Sequence, residues 1–267
     1  MIPSPPKNWW KSFFGASAGL VMWPRGAGRA EREAGIVVRR SRARSGARVL
    51  DLGCGVGRIS LILAARGFDV VGLDYSVSYL REAKAKAKKL GLSDRARFVR
   101  GDMRQATRHV GRNGFDLVIS LFNSFGYFAR RADDRVVLRQ VFRALKPGGA
   151  FVLNTLNEGG VLHRIKTPPR MGYEPMRNVF VIDHFDYDRR KRRTQGRWTI
   201  VDARGAKTEI ARLGMGQNVY SHAELKRLLR AAGFRIERVW GMWDGSRFTP
   251  TTWHQTIVAR KPRAASA

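Results

Sequence analysis

The sequence predicts an α/β fold built on a doubly wound, mostly parallel sheet, and three observations carry that prediction. Short apolar runs alternate with amphipathic stretches from residue 48 to 154, the pattern of parallel strands covered on both faces. A glycine-rich turn, Gly53-Cys54-Gly55-Val56-Gly57, follows the first apolar run. From 159 to 218 the pattern changes to β-type runs, and alternation then resumes.

Residues 1–30 are rich in Pro, Gly and Trp and read as irregular or short helical structure, with Trp9, Trp10, Phe13, Phe14 and Trp23 suited to packing. Residues 29–44 read as a helix burying Ile36, Val37 and Val38, broken by Gly46. The run 48–52 is the first buried strand and 57–66 a helix; 70–73 is the second strand, and 77–90 a helix with an Ala/Lys-rich exposed face. Strands at 97–100 and 115–120 follow. A helix over 133–145 ends at Pro147-Gly148-Gly149, and 150–154 is the fifth strand. Runs at 178–183, 198–202 and 208–213 are separated by Asp188-Arg189-Arg190 and Ala203-Arg204-Gly205, which predicts antiparallel hairpins. Ser221 and Glu224 form a capping box for a helix over 221–232, and Gly233 stops it. Strands at 235–240 and 252–260 complete the pattern.

Composition sets the bounds. A 267-residue chain with 43% hydrophobic residues suits one α/β domain plus an elaboration of roughly 50–70 residues. No window approaches the ~18–20 apolar residues of a membrane span, so a soluble, cytoplasmic protein without membrane association is expected. The single cysteine, Cys54, excludes an intramolecular disulfide or a cysteine zinc site, and no His/Asp/Glu spacing suggests another metal.

The net charge of +30 comes almost entirely from arginine. Nucleic-acid binding is one reading; an Arg/Ala compositional bias on solvated faces is the other. The basic excess falls in the first 48 residues, in 81–112 and around 189–193. That dispersal favours the second reading. Residues 1–30 lack any acidic side chain, as a transit peptide does, but the aromatic content argues for packing over removal.

Three motifs carry chemistry. In Val49-Leu50-Asp51-Leu52-Gly53-Cys54-Gly55-Val56-Gly57-Arg58, glycines at a strand-to-helix turn admit a ligand to the backbone. Asp51, two positions before the first glycine, would repel a pyrophosphate but attract the ammonium of an amino-acid tail. In Val70-Val71-Gly72-Leu73-Asp74-Tyr75-Ser76, Asp74 at a strand end can accept both hydrogen bonds of a ribose diol. In Phe98-Val99-Arg100-Gly101-Asp102-Met103, Asp102 can accept from an adenine amine while Met103 meets the ring face. Cys54 fits better as a small filler of the loop than as a nucleophile.

In this order and spacing, together with Phe115-Asp116-Leu117-Val118-Ile119-Ser120 and Leu145-Lys146-Pro147-Gly148-Gly149-Ala150-Phe151, the motifs resemble those of class I S-adenosylmethionine-dependent methyltransferases over residues 48–154. Leu121-Phe122-Asn123-Ser124-Phe125-Gly126-Tyr127-Phe128, Tyr220-Ser221-His222-Ala223-Glu224-Leu225 and Trp243-Asp244-Gly245-Ser246 extend the resemblance, to a bacterial group of small methyltransferases with a β-rich insertion after the fifth strand. The resemblance implies a Rossmann-like seven-stranded sheet of order 3-2-1-4-5-7-6, its last strand antiparallel. It implies S-adenosyl-L-methionine as cofactor, S-adenosyl-L-homocysteine as product and no metal. Asp51, Gly53, Cys54, Gly55, Gly57, Asp74, Tyr75, Ser76, Asp102 and Met103 are then the expected cofactor residues, with Leu121 near the methionine part and Trp10 covering it. The expected organisation is an N-terminal lid (1–45), a cofactor domain (46–158 and 219–267) and an acceptor-binding insertion (159–218).

Candidates for acceptor-side work are Tyr127, Asp183, His184, Tyr187, Trp198, Tyr220, His222 and Trp243. Of these, Tyr127, His184, Trp198, Tyr220 and Trp243 are expected to bind the acceptor. His184, in the stretch Asp183-His184-Phe185-Asp186-Tyr187, is the candidate base and Tyr127 a second catalytic candidate. A small-molecule acceptor methylated on N or O is the leading expectation. Nucleic acid comes second, because 121–125 lacks the prolines that base-amine methyltransferases place there. A monomer or homodimer is expected.

Overall fold

The computed structural model describes residues 5–14, 27–166 and 172–263. Trp23, and with it part of the expected N-terminal segment, lies outside them. The central sheet holds β1 (Arg48–Leu52), β2 (Asp69–Asp74), β3 (Ala96–Arg100), β4 (Phe115–Ser120), β5 (Leu145–Leu156), β10 (Arg235–Trp240) and β11 (His254–Arg260). Their order is β10-β11-β5-β4-β1-β2-β3, with β11 antiparallel to both neighbours and the pairs among β1–β5 parallel. Counted within this sheet, that is the expected 3-2-1-4-5-7-6.

The strands are apolar on both sides because helices cover both faces. Alternation along β1 sends Val49 to one core and Leu50 and Leu52 to the other. On the Val49 side lie α2 (Ala27–Ser41), α3 (Arg58–Ala65) and α4 (Val77–Lys89); on the Leu50 side lie α5 (Ala106–Val110), α6 (Arg131–Ala144) and α8 (His222–Ala231). Ser221 caps α8 by accepting from the Glu224 N–H.

The junction between α6 and β5 departs from the expected one. The helix stops at Ala144, and β5 begins at Leu145, running through Pro147-Gly148-Gly149. Pro147 restricts Lys146 to extended backbone, and Gly148 takes φ +79°. A Cβ on Gly149 would lie 2.9 Å from the Lys146 carbonyl oxygen, so the glycine permits the turn into the strand.

Between β5 and α8 the chain forms α7 (Glu158–Arg164) and a second, four-stranded sheet of β6 (Tyr173–Met176), β7 (Val179–Asp188), β8 (Arg193–Asp202) and β9 (Glu209–Asn218). The hairpin turns fall where the polar turn residues predict them: Asp188 accepts from the Lys191 N–H, and Asp202 binds Arg204. The strands are longer than the apolar runs, because their inward positions include Asp183, Thr194, Gly196 and Gln217. Strand β6 and helix α7 carry no comparable signal.

Ion pairs tie this sheet to the rest. Glu158 accepts from Arg192 (2.5 and 2.8 Å) and from the Tyr187 hydroxyl (2.5 Å). Arg192 also meets Glu224, which Arg131 binds at 2.7 Å. Short helix α1 (Trp10–Phe13) lies between the two sheets. Trp10 packs on Tyr75, and Phe13 on Trp198. Among the described residues no helix is long and apolar enough to cross a membrane.

Candidate active site

The glycine turn sits at the carboxyl ends of β1 and β2, where a parallel sheet opens a crevice. Gly53 takes φ +78°, and a Cβ there would lie 2.7 Å from the Ser124 side chain, so no other residue fits without displacement. Gly57 also takes a positive φ, but a Cβ there would strike the Phe98 ring at 2.7 Å. It packs the start of α3 onto the core, outside the cavity lining.

Asp51 is buried and accepts from the Ser60 hydroxyl at 2.6 Å. Burial, aided by the charge of Asp74, raises its pKa to about 6 despite Ser60 and Arg58. Asp74 holds one carboxylate oxygen against the Gly55 N–H (2.8 Å) and the other against the Ser76 N–H (2.9 Å). Burial still raises its pKa above the ordinary value. Two backbone donors fix the carboxylate and leave lone pairs free for a diol. Cys54 is buried, its thiol pushed up by burial and then by Asp74 and Asp51. That is the environment of an inert, protonated filler.

Asp102 is gripped by Arg104 through Nε (3.1 Å) and Nη2 (2.6 Å). Burial raises the Asp102 pKa, but the Arg104 hydrogen bonds outweigh it and the net shift is downward. The Ser76 hydroxyl donates to the Phe14 carbonyl at 2.8 Å, tying the segment after α1 to the rim. Of the expected cofactor residues, Trp10, Asp51, Gly53, Cys54, Gly55, Asp74, Tyr75, Ser76, Asp102, Met103 and Leu121 all line one cavity of about 940 Å³, open mouth included.

A second cavity, of about 1170 Å³ with its mouth, adjoins the first. Phe14, Arg58, Phe122 and Tyr127 line both. One wall is the inner face of β7–β9, where the register Asp183–Trp198–Leu213 and Phe185–Gly196–Met215 sets one face of the sheet toward the cavity. The other wall carries Trp9, Phe13, Trp243 and Trp253. Phe122 and Asn123, straight after Leu121 at the seam, both take left-handed backbone (φ +54° and +64°), a conformation that asparagine tolerates but that is rare for phenylalanine and concentrated at functional sites.

Trp198, Trp243 and Tyr127 reach this second cavity, and so does Asp183. His184 does not. It pairs with Arg197 on the outer face of β7 and is exposed, because the period of two that turns Asp183 and Phe185 inward turns His184 out. Tyr220 is fully buried elsewhere, donating to the Asp134 carboxylate at 2.6 Å, and lines neither cavity. Tyr187 is bound to Glu158, and His222 to Gln255 at 3.0 Å. Burial, and then the charge of Asp74, push the Tyr127 phenol well above its ordinary pKa, so it keeps its proton. Sequence reasoning passed over Arg58, Phe122, Asn123 and Phe14. Arg58 was legible as the residue after the glycine turn, whereas the left-handed pair has no sequence signal.

The residues suit S-adenosylmethionine: a buried carboxylate for its ammonium, a backbone-fixed carboxylate for its diol, and a glycine turn no Cβ could occupy. Trp10, whose ring packs on Tyr75, lines the same cavity. Fold and site define the class, a class I S-adenosylmethionine-dependent methyltransferase. A family model described as a methyltransferase domain matches residues 43–230, and the chain belongs to that family.

Among relatives, the chain is 37% identical over 107 residues to the putative methyltransferase YqeM of Bacillus subtilis, covering 40% of this chain and 41% of that protein. It is 28% identical to the cypemycin N-terminal methyltransferase of a Streptomyces species, over 94% of this chain and 92% of that one. A crystal structure of an S-adenosylmethionine-dependent methyltransferase from Clostridium acetobutylicum shares the fold with TM-score 0.78 at 17% identity, over 96% of this chain and 100% of that one. The chain thus spans about two fifths of the first relative's length and nearly all of the other two.

Proposed function

We propose that the protein transfers the methyl group of S-adenosylmethionine to a nitrogen or oxygen of a small-molecule acceptor held in the second cavity. The observation that carries this reading is the seam: the cofactor cavity opens into a largely aromatic chamber, and Phe14, Arg58, Phe122 and Tyr127 wall both. When bound, the cofactor supplies a methyl carbon on sulfonium, open to in-line displacement. Asp51 holds the ammonium, Asp74 the ribose diol, and Asp102 with Met103 the adenine. Helix α1, which begins at Trp10 and is followed by Phe14, excludes water from the seam and aligns the two reactants.

A small molecule fits better than nucleic acid. Among the described residues Arg58 is the only cation lining either cavity, and Glu33 binds it at 2.7 Å. The remaining basic residues are dispersed elsewhere. The relative that aligns along almost the whole chain is named for N-terminal methylation, which is consistent with a nitrogen acceptor.

The test is calorimetric titration with S-adenosylmethionine and S-adenosylhomocysteine, repeated with a mixed RNA pool at low and moderate salt. Micromolar cofactor binding with RNA binding erased by salt supports the proposal, and a metabolite screen with labelled methyl donor then identifies the product. RNA binding that survives moderate salt would replace the acceptor assignment, and no cofactor binding would sink the whole reading.

A further inference from the structure

Asp183 lies half-buried in the wall of the second cavity, opposite Trp198 across the β7–β8 pair and within reach of the charges of Arg164 and His184. Gln217 turns its amide nitrogen away, to the carbonyls of Phe125 (2.7 Å) and Asn123 (3.3 Å). Arg58, the one cation lining it among the described residues, is bound by Glu33 and lies 4.3 Å over the Phe122 ring.

We propose that the acceptor is an amine on an apolar or aromatic body, its positive charge met by Asp183 and the aromatic walls. This rests on the methyltransferase reading above. Aromatic faces attract cations, and a carboxylate in an apolar wall attracts an ammonium more strongly than it would in water. An alcohol of the same shape brings no charge for Asp183. Burial raises the Asp183 carboxyl above its ordinary pKa, which suits it to take a proton. In the transfer, the ammonium gives one proton to Asp183. The freed lone pair then forms the nitrogen–carbon bond as the carbon–sulfur bond breaks, its electrons staying on sulfur, to leave an N-methylammonium and a thioether.

The experiment is titration calorimetry on the full chain saturated with S-adenosylhomocysteine, using 2-phenylethylamine and its isostere 2-phenylethanol at pH 7.5. The amine is expected to bind at least ~10-fold tighter than the alcohol, a gap equivalent to one charge-assisted contact. Asp183→Asn removes that gap. Equal affinities, a preference for the alcohol, or no binding of either probe overturns the amine assignment; the wild-type ratio alone suffices, and retained homocysteine-product affinity shows that the variant is folded. Failure of S-adenosylhomocysteine itself to bind would instead sink the methyltransferase reading.

Discussion

Asp51→Asn tests whether the cofactor site is maintained at the expense of fold stability. The carboxyl is 5% exposed and its pKa rises from 3.8 to about 6. Because the folded chain holds this proton more tightly than the unfolded chain does, stability falls as pH rises from about 4 to 6 and stays reduced above. The shift corresponds to ~3 kcal/mol at pH 8. Asparagine removes the charge and still accepts from Ser60, so the ligand-free variant should be more stable than wild type at pH 8, by up to that amount. For a chain of this size the gain is a rise in Tm of roughly 5–10 °C, and it should shrink toward zero near pH 4. The same variant loses its partner for the ammonium of the cofactor, so affinity for S-adenosylhomocysteine should drop by roughly 10- to 100-fold. The assays are thermal melts across pH without ligand, and calorimetry at pH 8. A variant less stable than wild type at pH 8, or one that binds S-adenosylhomocysteine as well as wild type, refutes the reasoning.

Wild-type affinity for S-adenosylhomocysteine should fall as pH drops below about 6, approaching tenfold per pH unit as Asp51 takes up its proton, and Asp51→Asn should flatten that dependence; calorimetry from pH 5 to 8 reads both. Gly53→Ala should abolish measurable cofactor binding in the same assay, since the added Cβ meets Ser124 at 2.7 Å from a backbone at φ +78°. Tyr220→Phe should leave the cofactor and acceptor affinities unchanged while lowering stability by about 1–2 kcal/mol in urea titration, because the buried Asp134 carboxylate loses a donor at 2.6 Å. An acceptor-binding defect in that variant would return Tyr220 to the site.

Much of the sheet and the cofactor loop was legible because both follow from local patterns. Apolar runs such as Val49–Leu52 must be buried strands, and Gly53 and Asp74 are chemically specific at their positions. The second cavity was less legible, for two physical reasons. Its inner face depends on the register of β7–β9, and one step in that register separates Asp183, which faces the cavity, from His184, which faces solvent. An attractive local sequence, acidic and aromatic around a histidine, carries no information about which parity turns inward. The seam depends on the left-handed backbone of Phe122 and Asn123, and neither residue type announces such a conformation. Tyr220 shows the converse: an aromatic near the end of the insertion looks like an acceptor contact until its hydroxyl is placed on Asp134.

The chain carries a formal charge of +30, yet the two cavities invert that sign. Asp51, Asp74, Asp102 and Asp183 line them, Asp102 bound by Arg104; among the described residues Arg58 is the one cation in the lining, and Glu33 binds it. A polyanionic acceptor would meet carboxylates where it most needs cations. A cationic cofactor and a cationic acceptor would instead meet a local potential opposed to that of the surrounding surface. Such an arrangement also separates the two specificities: Asp51 and Asp74 stand on the parallel sheet, while Asp183 stands on a sheet joined to it through the Glu158–Arg192–Glu224 cluster. On the proposed reading, substitutions along the inner face of β7–β9 are expected to change acceptor affinity without touching the loop that holds the cofactor.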